Sequence, residues 1–224
     1  MTELAIYDMD RTITRTGTYT PFLIHAALRI APWRLVFVPA VLVVMLLYVL
    51  KRMTRARLKE INQRLMLGPH ILPADLKRVR ASFAELVWNT NILPGALRQI
   101  EEDRAAGRRL VLATASYRLY VEAIAERLGF DDVIATNSIL GLDARVTAKI
   151  DGENCYGPAK LRMIEAWLAH EGIARSEARV RFYSDHASDA PVMEWADEPF
   201  AANPSKKMRR LAEARGWPIV DWAR

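Results

Sequence analysis

The segment Leu35–Leu50, LVFVPAVLVVMLLYVL, runs sixteen residues without a charged side chain. As a helix it extends about 24 Å, against about 30 Å for the hydrocarbon core of a bilayer. Pro39 stands near its start, where the first turn of a helix tolerates proline. A second apolar stretch, Pro21–Ala31, ends at Pro32-Trp33, so the two read as helices with a break between them. The pair lies too far along the chain for a signal peptide. Three placements are open: burial in a small helical subdomain, a homodimer contact, or a hairpin dipping into one leaflet of a membrane.

Charge separates this region from the rest. Between Arg11 and Lys59 there are nine Lys or Arg and no Asp or Glu, so subtracting them from the net charge of +6 leaves the remainder at −3. Basic residues confined beside an apolar run match an anionic membrane surface. A nucleic-acid binder would interleave basic and aromatic residues on a polar face, and no nucleic acid is expected as a partner. The single cysteine, Cys155, excludes an internal disulfide framework and a cysteine zinc cage. It reads as a small filler, and a reducing cytoplasm fits best. A peripheral position at the cytoplasmic face of the membrane is the expectation if the apolar run meets lipid.

The 224 residues suffice for one core with a subdomain. Strands and helices alternate. Strands are expected at Leu4–Tyr7, Arg108–Thr114, Val133–Thr136, Val180–Ser184 and Phe200–Ala202. Helices are expected at Arg57–Leu67, Pro73–Trp88, Gly95–Ala106, Tyr117–Leu128, Lys160–His170 and Lys206–Arg215, with a small hairpin across Gly141–Gly157. That order predicts an α/β fold with a parallel sheet whose functional residues sit at the C-terminal ends of the strands.

Chemistry-bearing residues fall at those ends. Asp8-Met9-Asp10-Arg11-Thr12 follows the first strand, setting two carboxylates side by side. Such a pair repels unless one is protonated or a cation lies between them. A hard divalent ion with oxygen ligands, most simply Mg²⁺, satisfies them. Thr114 closes the second strand, Lys160 opens a helix, and Asp185 and Asp189 follow the strand Val180–Ser184. Carboxylate, hydroxyl, ammonium and carboxylate together form an inventory for phosphate chemistry. His25, His70 and His186 have no metal-ligand spacing, and Trp217 and Trp222 are expected to anchor the C-terminus.

This set resembles the haloacid dehalogenase superfamily of phosphohydrolases. The likeness rests on D-x-D-x-T as Asp8, Asp10 and Thr12, on Thr114, on Lys160, and on D-x-x-x-D as Asp185 and Asp189. The wide gap from Thr12 to Thr114 is similar to the subgroup with a helical cap inserted after the first motif, including phosphoserine phosphatase relatives. The resemblance implies a Rossmann-like parallel sheet core, residues 1–14 and 95–224, with an inserted all-helical cap at 15–94. It implies that Asp8 attacks phosphorus, forming an aspartyl-phosphate. Asp10 then protonates the leaving alcohol and later activates water. Thr114 and Lys160 would bind the phosphate. Asp8, Asp10 through its backbone carbonyl, and Asp185 would hold Mg²⁺, with Asp189 in the outer part of that site or fixing Lys160.

Two departures from the family pattern are local: Arg11 stands where Gly is frequent, and Ser184-Asp185-His186 replaces Gly-Asp-Ser. A third bears on substrate. Phosphoserine phosphatases carry a Glu shortly after D-x-D-x-T, whereas Ile13–Tyr19 here contains no acid, which disfavours an amino-acid substrate. The substrate expected is a phosphorylated small molecule or a lipid. Some relatives with a similarly apolar cap act on phosphatidylglycerophosphate, so an anionic phospholipid phosphate is the leading expectation. A soluble metabolite phosphate is the alternative, and a non-catalytic membrane or partner-binding protein is a second alternative. A single membrane crossing is excluded, because it would part Asp8 from Asp185.

Overall fold

The computed structural model describes residues 1–223. Its strands are β1 (Thr2–Tyr7), β2 (His70–Ile71), β3 (Arg109–Tyr117), β4 (Asp132–Leu140), β5 (Val146–Asp151), β6 (Ala178–Ser184), β7 (Glu198–Ala202) and β8 (Ile219–Val220). They form one sheet in the order β2-β5-β4-β3-β1-β6-β7-β8. β4, β3, β1, β6, β7 and β8 run parallel, while β5 and β2 are antiparallel additions at one edge.

Alternate residues of the central strands feed two apolar layers, as the two-residue period of a strand requires. Ala5, Tyr7, Leu110 and Leu112 enter one layer, and Leu4, Ile6, Val111, Ala113, Val180 and Phe182 the other. Helices α5 (Pro94–Ala105) and α6 (Arg118–Leu128) cover the first layer. Helices α7 (Pro158–His170), α8 (Ala190–Trp195) and α9 (Lys206–Arg215) cover the second. Tyr7 is level with Leu112 on β3 and with Tyr183 on β6. This register brings the C-terminal ends of the three strands to one rim.

Between β1 and α5 the chain inserts α1 (Tyr19–Ile30), a 3₁₀ segment (Pro32–Phe37), α2 (Val38–Val49), α3 (Arg55–Leu67), β2 and α4 (Pro73–Thr90). The ends of the insertion are tied by a bridge between Thr14 and Ile92, and the Leu93 N–H donates to Ile13 O at 3.0 Å. α1 buries Phe22, Leu23, His25, Ala26 and Ala27. Phe22 stacks on Tyr120 of α6 with centroids 4.3 Å apart.

The structure departs from the sequence reading at two places and removes one placement that was left open. The insertion is not all-helical, because His70–Ile71 pairs with β5 and buries Ile71 against the sheet edge. β4 runs on to Leu140, so the expected hairpin is β4 and β5 extending the sheet. Burial of Leu35–Leu50 also fails: none of α2 is buried, and Leu42, Leu46 and Val49 are 60%, 57% and 71% exposed. Hydropathy alone reports composition: α2 packs on α3 along one side, half-burying Val41 and Val44, and its other side has no cover among the described residues.

Candidate active site

β1 ends at Tyr7 and delivers Asp8 to the rim, where the Asp8 N–H donates to Tyr183 O at 2.9 Å. The Lys160 ammonium donates to Asp8 Oδ1 at 2.8 Å and to Asp189 Oδ2 at 2.6 Å, and all three side chains are buried. Lys160 reaches them from the first turn of α7, opened by Gly157 (φ +60°) and Pro158. Thr12 Oγ1 donates to Asp8 Oδ2 at 3.3 Å and accepts from the Asp185 N–H at 3.0 Å, joining the ends of β1 and β6. Ser184 Oγ donates to Asp189 Oδ2 at 2.8 Å, and the buried Asp189 Oδ1 has no partner.

Asp8, Asp10, Thr114, Lys160, Asp185 and Asp189 all line one cavity of about 470 Å³. Asp10 is turned toward the insertion. Its Oδ1 accepts from Thr18 N and Thr18 Oγ1, both at 2.7 Å, and its Oδ2 accepts from Ser116 Oγ at 2.7 Å. Thr114 Oγ1 accepts from Ser116 N at 3.1 Å, beside a register shift that opens β3 between Thr114 and Tyr117.

Burial pushes Asp8 up to about 6, with Lys160 opposing and Asp189 reinforcing. Burial, then the charges of Asp8 and Asp189, push Asp185 up to about 8. For Lys160 burial acts downward, but Asp189 and Asp8 outweigh it and hold the ammonium above its ordinary value. Two buried carboxylates that resist joint ionisation are the donor set a hard divalent cation fits. Among the described residues no group of three or more His, Cys, Asp or Glu is arranged to hold a metal. Because the Asp10 carboxylate is engaged by Thr18 and Ser116, it is Asp8 and Asp185, with Asp189 Oδ1 beside them, that offer carboxylate oxygens to a cation, and Asp10 is left with its backbone carbonyl.

Several side chains at the site escaped the sequence reading. Thr18 and Ser116 fix Asp10. Lys59 of α3 is buried; its ammonium donates to Ala115 O and, at 2.7 Å, to Asn154 Oδ1. Burial and then Arg55 bring Lys59 down to about 7, with Asp10 opposing. In sequence it is one of five basic residues in a run, and only the fold distinguishes it. His186 accepts from Ser188 N at 3.1 Å through Nδ1, capping the turn that carries Asp189. Burial pushes the Cys155 thiol up to about 12, in keeping with a filler.

An aspartate at the end of the first parallel strand, a buried lysine and further acids at a neighbouring strand end, beneath an inserted and mostly helical segment, define a Rossmann-like α/β core with a cap. The profile of the haloacid dehalogenase-like hydrolases matches residues 5–194, and the chain belongs to that family. It is 42% identical over 125 residues to the "Inhibition of morphological differentiation protein" of Streptomyces azureus, covering 56% of this chain and 44% of that one. It is 25% identical over 124 residues to a histidinol-phosphatase of Neisseria meningitidis serogroup C (strain 8013), covering 55% and 56%. The chain thus spans about half the length of these curated relatives. A crystal structure of a protein with unknown function from Bordetella pertussis Tohama I superposes with a TM-score of 0.86 at 26% identity, covering 99% of each chain.

Proposed function

We propose that this chain is a Mg²⁺-dependent phosphomonoesterase working through an aspartyl-phosphate on Asp8. The observation that carries the reading is the buried Lys160 clamped between Asp8 and Asp189 on the floor of the cavity. Burial raises Asp8 only to about 6, so it is ionised at neutral pH and able to attack phosphorus. As the Asp8–phosphorus bond forms, the bond to the leaving alcohol breaks and Asp10 supplies the alcohol's proton. Asp10 then takes a proton from the water that cleaves the acyl phosphate. Thr18 and Ser116 hold Asp10 in place for both transfers. Thr114 and Lys160 receive the phosphoryl oxygens. Asp8, Asp185 and the Asp10 carbonyl would hold Mg²⁺, which supplies charge neutralisation at phosphate. Residues 15–94 act as a cap over a core made of 1–14 and 95–224, with the neck at Thr14 and Ile92.

The experiment is hydrolysis of p-nitrophenyl phosphate with Mg²⁺ by the wild type and by Asp8→Asn. Loss of at least about a thousandfold in kcat is expected for removal of the nucleophile. Unaltered turnover by Asp8→Asn would sink the mechanism.

The soluble alternative is a small metabolite phosphate, and the relative named histidinol-phosphatase supports it. A second reading, substrate presented at an anionic membrane on the cytoplasmic side, as a phospholipid phosphate would be, is favoured by α2. Pro32–Val49 has mean hydropathy 2.1 and no buried residue. Lys51, Arg52 and Arg57 follow it and are exposed, and each basic residue near an anionic leaflet contributes about 1 kcal/mol.

A further inference from the structure

Besides the acids, Thr114 and Lys160, two arginines line the same cavity. Arg11 follows Asp10 on the core, and Arg55 is the first residue of α3 on the insertion. Among the described residues neither guanidinium forms an ion pair, although the chain holds many such pairs elsewhere. The Arg55 guanidinium carbon lies over the Tyr156 ring, 4.4 Å from its centroid, and Tyr156 in turn neighbours His186 at 6.2 Å. Stacking occupies the face of a guanidinium and leaves its edge N–H donors directed outward. Arg11 has φ +66°, a left-handed conformation that glycine adopts freely and any other residue at a cost. Arg11 belongs to the loop after β1 and Arg55 to the inserted α3, so the cavity receives one guanidinium from the core and one from the insertion.

The rest of the lining is equally informative. Its only acids are Asp8, Asp10, Asp185 and Asp189, all engaged or buried at the reacting centre. A substrate ammonium group would find no carboxylate in that lining beyond those of the reacting centre. An anionic group would find two unpaired guanidinium groups with fork geometry suited to carboxylate or phosphate.

We infer that Arg11 and Arg55 form a subsite for a second anionic group on the leaving alcohol of the substrate. The inference rests on the phosphatase reading and narrows its substrate class to phosphomonoesters whose alcohol also carries a carboxylate or a phosphodiester. Arg55 supplies the donor edge from the insertion, and Arg11 supplies the opposing charge from the core.

The test measures kcat/KM with Mg²⁺ for four soluble phosphomonoesters. Glycerol 3-phosphate has a neutral alcohol, phosphoethanolamine a cationic one, 3-phosphoglycerate a carboxylate, and glycerophosphoglycerol phosphate a phosphodiester. A preference of about tenfold or more for at least one anionic substrate over glycerol 3-phosphate is expected, with phosphoethanolamine last. Whichever anionic substrate leads identifies the source of the charge. Arg55→Glu should lower the ratio of anionic substrate to phosphoethanolamine by about a hundredfold, and Arg11→Gly by about tenfold. Arg11→Gly relieves the left-handed strain and should melt no lower than the wild type, so misfolding does not explain its result. Wild-type preference for phosphoethanolamine or glycerol 3-phosphate, or ratios that move less than about threefold in both variants, would overturn the subsite. Absence of wild-type turnover on all four and on p-nitrophenyl phosphate would instead overturn the phosphatase reading beneath it.

Discussion

Replacing Lys160 by Met removes one ammonium and strands two carboxylates. Nζ lies 2.8 Å from Asp8 Oδ1 and 2.6 Å from Asp189 Oδ2, with side-chain exposures of 2%, 10% and 3% for Lys160, Asp8 and Asp189. Met matches the length of the aliphatic stem, so the change is mainly electrostatic. The two acids cannot both stay ionised without the lysine, so the native variant takes up one proton that the unfolded chain releases. Holding that proton at pH 7, against an unfolded pKa near 3.9, costs about 4 kcal/mol. Breaking a buried ion pair by removing one partner costs about 3–5 kcal/mol, which agrees. The sign follows from the proton count. The native variant binds more protons than its unfolded state, so its deficit grows with rising pH by about 1.4 kcal/mol per unit. It should be about 1.5 kcal/mol at pH 5 and about 4 kcal/mol at pH 7. In the wild type, Asp8 at about 6 is itself mostly protonated at pH 5, which narrows the gap further there. Urea unfolding of both proteins in EDTA, followed by tryptophan fluorescence from pH 5 to pH 7, measures the difference. A deficit below about 1 kcal/mol at pH 7, or one that does not change with pH, would refute the reasoning.

Lys59 gives a prediction of opposite sense. Its folded pKa of about 7 lies below the ordinary lysine value, so the native state holds fewer protons than the unfolded one and wild-type stability rises as pH climbs past 7. Lys59→Met should therefore be more stable than the wild type at pH 6, with the advantage shrinking by pH 9. Thr136 Oγ1 still donates to Ala115 O and Asn154 Oδ1 in that variant. Thermal melts at the two pH values check this, and an advantage that grows with pH contradicts it. For α2, the triple change Leu42→Gln, Leu46→Gln and Val49→Gln touches side chains that are mostly exposed, so each should alter stability by less than about 0.5 kcal/mol. Wild-type protein should sediment with phosphatidylglycerol vesicles and not with phosphatidylcholine vesicles, and the triple variant should stay in solution. Wild-type protein left in the supernatant would remove the lipid surface, and a wild-type dimer made monomeric by the triple variant would assign the face to a second copy.

The six site residues were readable in sequence because each sits at a position that local pattern defines. A buried strand with two-residue alternation ends where its apolar run ends, and Asp8 and Asp185 occupy the positions just after β1 and β6; β3 runs past its expected end at Thr114 to Tyr117, and Thr114 sits where its register shifts. A parallel sheet with level strands then brings them to one rim whatever the loops do. Asp10 shows the limit of that logic. Its side-chain direction is set by Thr18 and Ser116, the latter 106 residues away, and no spacing rule reports such a contact. Lys59 and Arg55 belong to the same basic run as Lys51 and Arg52. Only the packing of α3 over the end of β3 buries the first, stacks the second on Tyr156 and leaves the others in solvent. Sequence determined that Leu35–Leu50 is helical and apolar. Whether it is covered was decided by the tertiary structure, because burial depends on a partner surface. α1 finds one in α4 and α6, while α2 faces outward and leaves its apolar side to whatever lies beyond the chain.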